Sequence, residues 1–102
     1  MSYAAMTHIE GRFEWDPGKA RKNFAKHGVT FEDAMEIFSG AEILLGTRTG
    51  EDGEVRHLAV GFVSGLLLLV VVFTDRNGRI RIISARPASR QERKLYHERI
   101  TR

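Results

Sequence analysis

The run Leu66–Phe73, LLLLVVVF, constrains this chain more than any other feature. Eight consecutive apolar residues fall far short of the roughly 20 that span a bilayer. Ser64-Gly65 precedes the run and Asn77-Gly78 follows it closely. An apolar run of this length between turn signals reads as a strand covered on both faces, so it belongs in the middle of a sheet. Asn77-Gly78 is the strongest turn signal, because a type I′ hairpin needs positive φ at both central positions. Arg79–Ala85 should then return beside the run as an antiparallel strand. Its alternation of Arg79, Ile80, Arg81 and Ile82 puts one face on the core and sends the arginines the other way. Ile43–Gly46 and Val55–Val63, separated by Gly50–Gly53, bring the expected sheet to about four strands.

Helix signals flank this sheet. Phe13-Glu14-Trp15 alternates like a short strand, and Asp16-Pro17 then supplies an N-cap and a proline at the first helical position. A first helix to about His27 ends at Gly28, which can take the left-handed conformation. Thr30-Phe31-Glu32-Asp33 resembles a capping box, with Ala34, Ile37 and Phe38 as the apolar face of a second helix that stops at Gly40. Ser89-Arg90-Gln91-Glu92 is a full capping-box match opening a last helix with few apolar positions. The expected class is α+β: two N-terminal helices, an antiparallel sheet of about four strands and a C-terminal helix. Residues 13–102 form one domain in this reading. Residues 1–12 are set aside as a tag or disordered lead, because Ile9-Glu10-Gly11-Arg12 matches a protease site commonly placed behind purification tags.

Charge is distributed unevenly. The chain carries a net +3. Residues 79–102 alone hold eight Lys/Arg against two Asp/Glu. Such asymmetry points to an anionic partner, most simply a nucleic acid, with a solvated basic helix as the plainer alternative. There is no cysteine. Disulfides and thiolate zinc sites are thereby excluded, and a cytoplasmic location is expected. His8, His27, His57 and His97 show no metal-ligand spacing, so no metal is expected. No nucleotide cofactor is expected either, since neither glycine-rich phosphate loop occurs. Ser64 and Ser84 lack a nucleophile elbow.

What remains is the arginine set in Arg79–Lys94. Arginine offers a permanently charged fork that fits phosphate oxygens and stabilises charge developing on phosphorus. Arg81, Arg86 and Arg90 can converge on one anion, with Arg86 as the leading candidate; the competing use is salt bridges to Glu51, Asp52 or Glu54.

Phe13, Trp15, Asp16, Lys19, Asn23, Lys26, His27 and Gly28, in the pattern Phe-x-Trp-Asp-x-x-Lys-x-x-x-Asn-x-x-Lys-His-Gly, resemble the opening signature of the BrnT family of toxins. Later blocks are similar too: Phe31-Glu32-Asp33-Ala34, Glu54-x-Arg56, Val70–Thr74, Ile80–Arg86 and Glu92-Arg93-x-x-Tyr96. Gly40-Ala41-Glu42 departs from the pattern, standing where an aspartate would be expected after the second helix. The resemblance implies a RelE-like toxin of a type II toxin-antitoxin system, acting as a metal-independent endoribonuclease that stops translation. It also implies a ribbon-helix-helix antitoxin of the BrnA kind, with operator DNA reached only through the complex, and no membrane role.

RNA cleavage without a metal needs a base for the 2′-hydroxyl, cationic stabilisation of the phosphorane and an acid for the leaving oxygen. Under this reading Arg81 and Arg86 stabilise the phosphate, with His27 and Tyr96 as acid-base candidates, and Arg90, Lys26, Arg56 and Arg93 bind the RNA. The plainer readings are a helix-end histidine for His27, a core tyrosine for Tyr96 and solvated cations for the others; Trp15 reads as core. The alternative functions are a non-catalytic nucleic-acid or antitoxin-binding subunit and an inactive partner in an autorepressor complex.

Overall fold

The computed structural model describes residues 7–101. Strands β1 (His8–Glu10) and β2 (Phe13–Trp15) precede helix α1 (Pro17–His27), then α2 (Phe31–Met35) and a 3₁₀ turn (Glu36–Ser39). Strands β3 (Ile43–Thr49), β4 (Val55–Val63), β5 (Leu67–Arg76) and β6 (Arg79–Pro87) follow, and α3 (Arg90–Ile100) closes the order. Among the described residues the strands form one six-stranded sheet ordered β1-β2-β6-β5-β4-β3. All neighbours are antiparallel except β2 and β6, which run parallel through the pairs Phe13–Ile80 and Glu14–Arg81.

This corrects the expected class of two N-terminal helices over four antiparallel strands. The sheet is mixed, with a β1–β2 hairpin added at the β6 edge. The second helix is one α-turn of five residues that tightens into a 3₁₀ turn. The cause of the mixed sheet is physical. A three-residue strand carries too little alternation to declare its pairing, and its parallel partner lies far along the chain. Gly61 gives the 3₁₀ turn room: a Cβ there would meet Ile37 Cβ at 2.9 Å, so the 3₁₀ segment lies directly on bare backbone of β4. The lead set aside in the sequence divides accordingly. Residues 1–6 lie outside the described residues, whereas His8–Glu10 pairs with β2.

Other signals fold as their chemistry dictates. Asp16 caps α1, its carboxylate accepting from Gly18 N at 2.7 Å, and Gly28 ends the helix at φ 69°. Asn77 and Gly78 both take positive φ, as do Ser64 and Gly65, so β4–β5 and β5–β6 close through tight hairpins. β5 lies between β4 and β6, and Leu68–Val71 are buried in succession. One face of the sheet packs on α1, α2 and the 3₁₀ turn, with Trp15, Phe31, Ile37, Leu69, Val71, Phe73, Ile82 and Ala85 in that core. The opposite face is covered only in part, where Tyr96 of α3 meets Val60, Leu68 and Val70. We call it the open face.

Asn23 fastens α1 to the sheet. Its amide donates to Val29 O (3.1 Å) and Ala85 O (2.8 Å) and accepts from Ala85 N (3.1 Å), in a buried position. Removing it strands three backbone groups, each worth about 1–3 kcal/mol when left unpaired. Asn23→Ala is therefore expected to cost at least about 3 kcal/mol in urea unfolding, well beyond a surface substitution.

Candidate functional site

Arg81 and Arg86 are five residues apart, so strict alternation along a strand would aim them at opposite faces. A register shift in β6 removes the conflict. Phe73 pairs with Ile82 and Val72 with Ser84, which leaves Ile83 as an extra residue. Arg81, Ser84 and Arg86 then oppose Thr74, Val72 and Val70, three alternate residues of β5. All three point to the open face, while Ile82 and Ala85 stay in the core beneath α1.

Each arginine of this row is held by a carboxylate. Arg81 pairs with Glu14 of β2, and both are largely shielded. Arg86 makes a two-pronged pair with Glu92, at 2.7 and 2.8 Å. Glu92 is also the third residue of α3, and its Oε1 accepts from Ser89 N at 2.8 Å while Ser89 Oγ accepts from Glu92 N. One carboxylate thus caps the helix and orients the arginine. The Arg86 hydrogen bonds, aided by Ser89 N–H, hold the Glu92 carboxyl down at about 2, and Glu92 in turn raises the Arg86 pKa. The partners that arginine chemistry demanded are Glu14 and Glu92; among the hairpin acids, Glu54 takes Arg76 at 2.7 Å and Asp52 stands 3.9 Å from Arg56.

Beside this row runs a groove of about 240 Å³ between α1 and β6, lined by Lys19, Lys22, Asn23, Lys26, His27, Ile83 and Ser84. Its charged lining is wholly basic. Lys19, Lys22 and Lys26 recur at helical spacing along α1, and Ser84 belongs both to the groove and to the arginine row. Lys26 and His27 thus share the groove, Arg81 and Arg86 share the open-face row, and Ser84 is the residue common to both. Lys19, Lys22, Ser84 and the two carboxylates were not among the site candidates read from the sequence; the lysine spacing and the place of Glu92 in the capping box were the signals available.

The remaining candidates lie elsewhere. Arg90 and Arg93 are exposed on the first turn of α3. Arg56 sits on β4 of the open face, toward the β3–β4 hairpin. Tyr96 is buried, its hydroxyl donating to Ala41 O at 2.9 Å and its ring packed edge-on against Phe62. Among the described residues no three His, Cys, Asp or Glu side chains converge where a metal ion could be held. Among the described residues no helix is long and apolar enough to cross a membrane.

A family model described as "Ribonuclease toxin, BrnT, of type II toxin-antitoxin system" matches residues 15–92. The chain belongs to the BrnT family. The match takes in α1, the whole of β6 and Glu92, and stops before Arg93 and Tyr96. Among solved structures, the ribonuclease toxin BrnT of Brucella abortus, determined at 1.1 Å, is similar with a TM-score of 0.61 and 32% identity. The similarity covers 74% of this chain and 94% of that one. No curated protein matches. A toxin of a type II system has an antitoxin partner, and a ribonuclease has an RNA substrate; both follow from the family itself.

The Glu92 pair has a measurable pH signature. A carboxyl held below its ordinary 4.5 stabilises the fold above that pH, and the contribution fades as pH falls toward about 2. The wild type should unfold at a higher temperature than Glu92→Gln near neutrality, with the gap closing between about pH 4.5 and 2. A gap independent of pH would show that the charge on Glu92 is not what stabilises.

Proposed function

We propose that this BrnT-family toxin is a metal-independent RNA endonuclease whose active surface is the β6 row of Arg81, Ser84 and Arg86 together with the α1 groove. The observation that carries this reading is the bulge at Ile83, which unites two arginines otherwise on opposite faces in one row with Ser84, a residue that also lines the groove holding His27 and Lys26. In the reaction the 2′-hydroxyl loses its proton to a base and attacks phosphorus. The bond to the 5′-oxygen breaks and that oxygen takes a proton, leaving a 2′,3′-cyclic phosphate and a 5′-hydroxyl. Arg86, oriented by Glu92, and Arg81 stabilise the phosphorane charge. His27 performs one of the two proton transfers, since imidazole is the side chain suited to both roles near neutrality. Lys26, Arg56, Arg90 and Arg93 hold the RNA backbone. Tyr96 has a packing role, because its hydroxyl is engaged by Ala41 O beneath α3.

The consequence in the cell is arrest of translation in the cytoplasm through RNA cleavage. Neutralisation falls to a ribbon-helix-helix antitoxin of the BrnA kind, and operator DNA is bound only through that complex. A second reading, a non-catalytic binding subunit, is favoured by one observation: both arginines already have carboxylate partners.

The decisive test incubates labelled RNA with purified protein in EDTA, alongside Arg86→Ala and His27→Ala. Cleavage by the wild type, lowered about 10²- to 10³-fold by Arg86→Ala in a protein whose melting shows it folded, is the expected result. Cleavage abolished by EDTA would remove the metal-independent chemistry. RNA bound but intact in every lane would favour the second reading.

A further inference from the structure

Arg48 of β3 and Arg56 of β4 are direct cross-strand partners. Facing residues in an antiparallel pair project from the same side with their Cβ atoms roughly 4.5–5.5 Å apart, and like charges placed so destabilise the sheet. That side is the open face, because Arg56 alternates with Leu58 and Val60, which pack toward α3. Little in the protein relieves the repulsion. Asp52 approaches Arg56 only at 3.9 Å from an exposed position, and Glu54 is held by Arg76. Arg48 has no ion-pair partner among the described residues, and Arg56 Nε is buried without any hydrogen-bond partner. Two facing arginines, one with a donor that no protein group takes up, form a pair whose repulsion an anion would relieve.

The pair also has a position that suits one ligand. His57 pairs with Phe73, so Arg56 lies one step along from it, abreast of Thr74, whose own partner is Arg81. Thr74 Oγ1 donates to Val55 O, which ties the same rung together. Arg48, Arg56, Thr74 and Arg81 thus cross four strands in one line on the open face. At about 4.8 Å per strand the line spans roughly 14 Å, about the rise of four stacked nucleotides in a single strand.

We infer that Arg48 and Arg56 form a second phosphodiester subsite, which takes the RNA backbone some nucleotides away from the phosphate held at Arg81 and Arg86. This rests on the ribonuclease reading and extends it: the strand of RNA lies across the sheet rather than along β6. Arg48 acts in binding and takes no part in the chemistry.

The test uses fluorescence anisotropy with uncleavable 2′-O-methyl RNA, a 12-mer and a trinucleotide, on the wild type, Arg48→Ala and Arg48→Glu. Arg48→Ala should weaken the 12-mer about 3- to 10-fold and flatten its log–log salt dependence by about 0.7, while the trinucleotide is unaffected. Arg48→Glu should weaken the 12-mer further and yet raise the melting temperature, since it replaces repulsion across the strands with attraction. Misfolding cannot produce that combination. Wild type that binds the 12-mer with variants that bind it equally would overturn the subsite and leave the ribonuclease reading standing. A wild type that binds no RNA would overturn both.

Discussion

The amide of Asn23 does the work of a missing strand. β2 pairs with β6 only at Ile80 and Arg81, so beyond that point the outer edge of β6 has no strand partner. An open edge leaves N–H and C=O groups unpaired and invites association with other chains. Asn23 meets the edge at Ala85 as a strand would, accepting from its N–H and donating to its carbonyl, and its second amide hydrogen reaches Val29 O just past the end of α1. The chemistry admits no substitute of similar size. Aspartate would face two carbonyls with no hydrogen to offer, and leucine would abandon all three groups. By fixing α1 against β6 this one side chain also sets the wall of the basic groove, because Lys19, Lys22, Lys26 and His27 ride on the helix it anchors.

A cationic surface of this density needs carboxylates to exist before any ligand arrives. Glu14 shields Arg81 and Glu92 holds Arg86, so the two arginines are oriented in the free protein. The two pairs differ in kind. Arg81 and Glu14 are mostly withdrawn from water, where an ion pair gains specificity of placement more than net stability. Arg86 and Glu92 are wetter, and their forked geometry is the charge-assisted type that orients a guanidinium well. Since Glu92 also closes the capping box with Ser89 at the start of α3, the helix start and the arginine are one mechanical unit.

The elements most legible in the sequence were those whose signals are local. Asp16-Pro17 and Gly28 bracket α1, Ser89 and Glu92 open α3, and Asn77-Gly78 turns β5 into β6, because caps and tight turns are chemistry among neighbours in the chain. The apolar run proved central for the same reason. What escaped was set by distant contacts. The β2–β6 pairing depends on residues far apart in sequence, β1 was set aside with the lead although its hairpin with β2 is local, and the carboxylate partners of Arg81 and Arg86 could not be chosen from composition alone. The bulge is the sharpest case. Ile83 looks like an ordinary strand residue, and nothing near it announces an insertion, yet the insertion decides whether the two arginines share a surface.

The sheet has too little helix to cover it twice, and this shortage is what leaves one face open. α1, α2 and the 3₁₀ turn bury one face completely enough to supply most of the core. α3, with few apolar residues, reaches the open face chiefly through Tyr96, over the end where Val60, Leu68 and Val70 lie. Toward the β3–β4 hairpin the same face is left with half-buried Leu58 and Val72 as floor and arginines as rim. The floor is continuous with the core through the central strand, so the groups on it are carried by strands anchored in the core. On the proposed ribonuclease reading, charges mounted in this way need little reorganisation when a phosphate arrives, which is the condition under which fixed cations lower a barrier rather than merely attract a ligand.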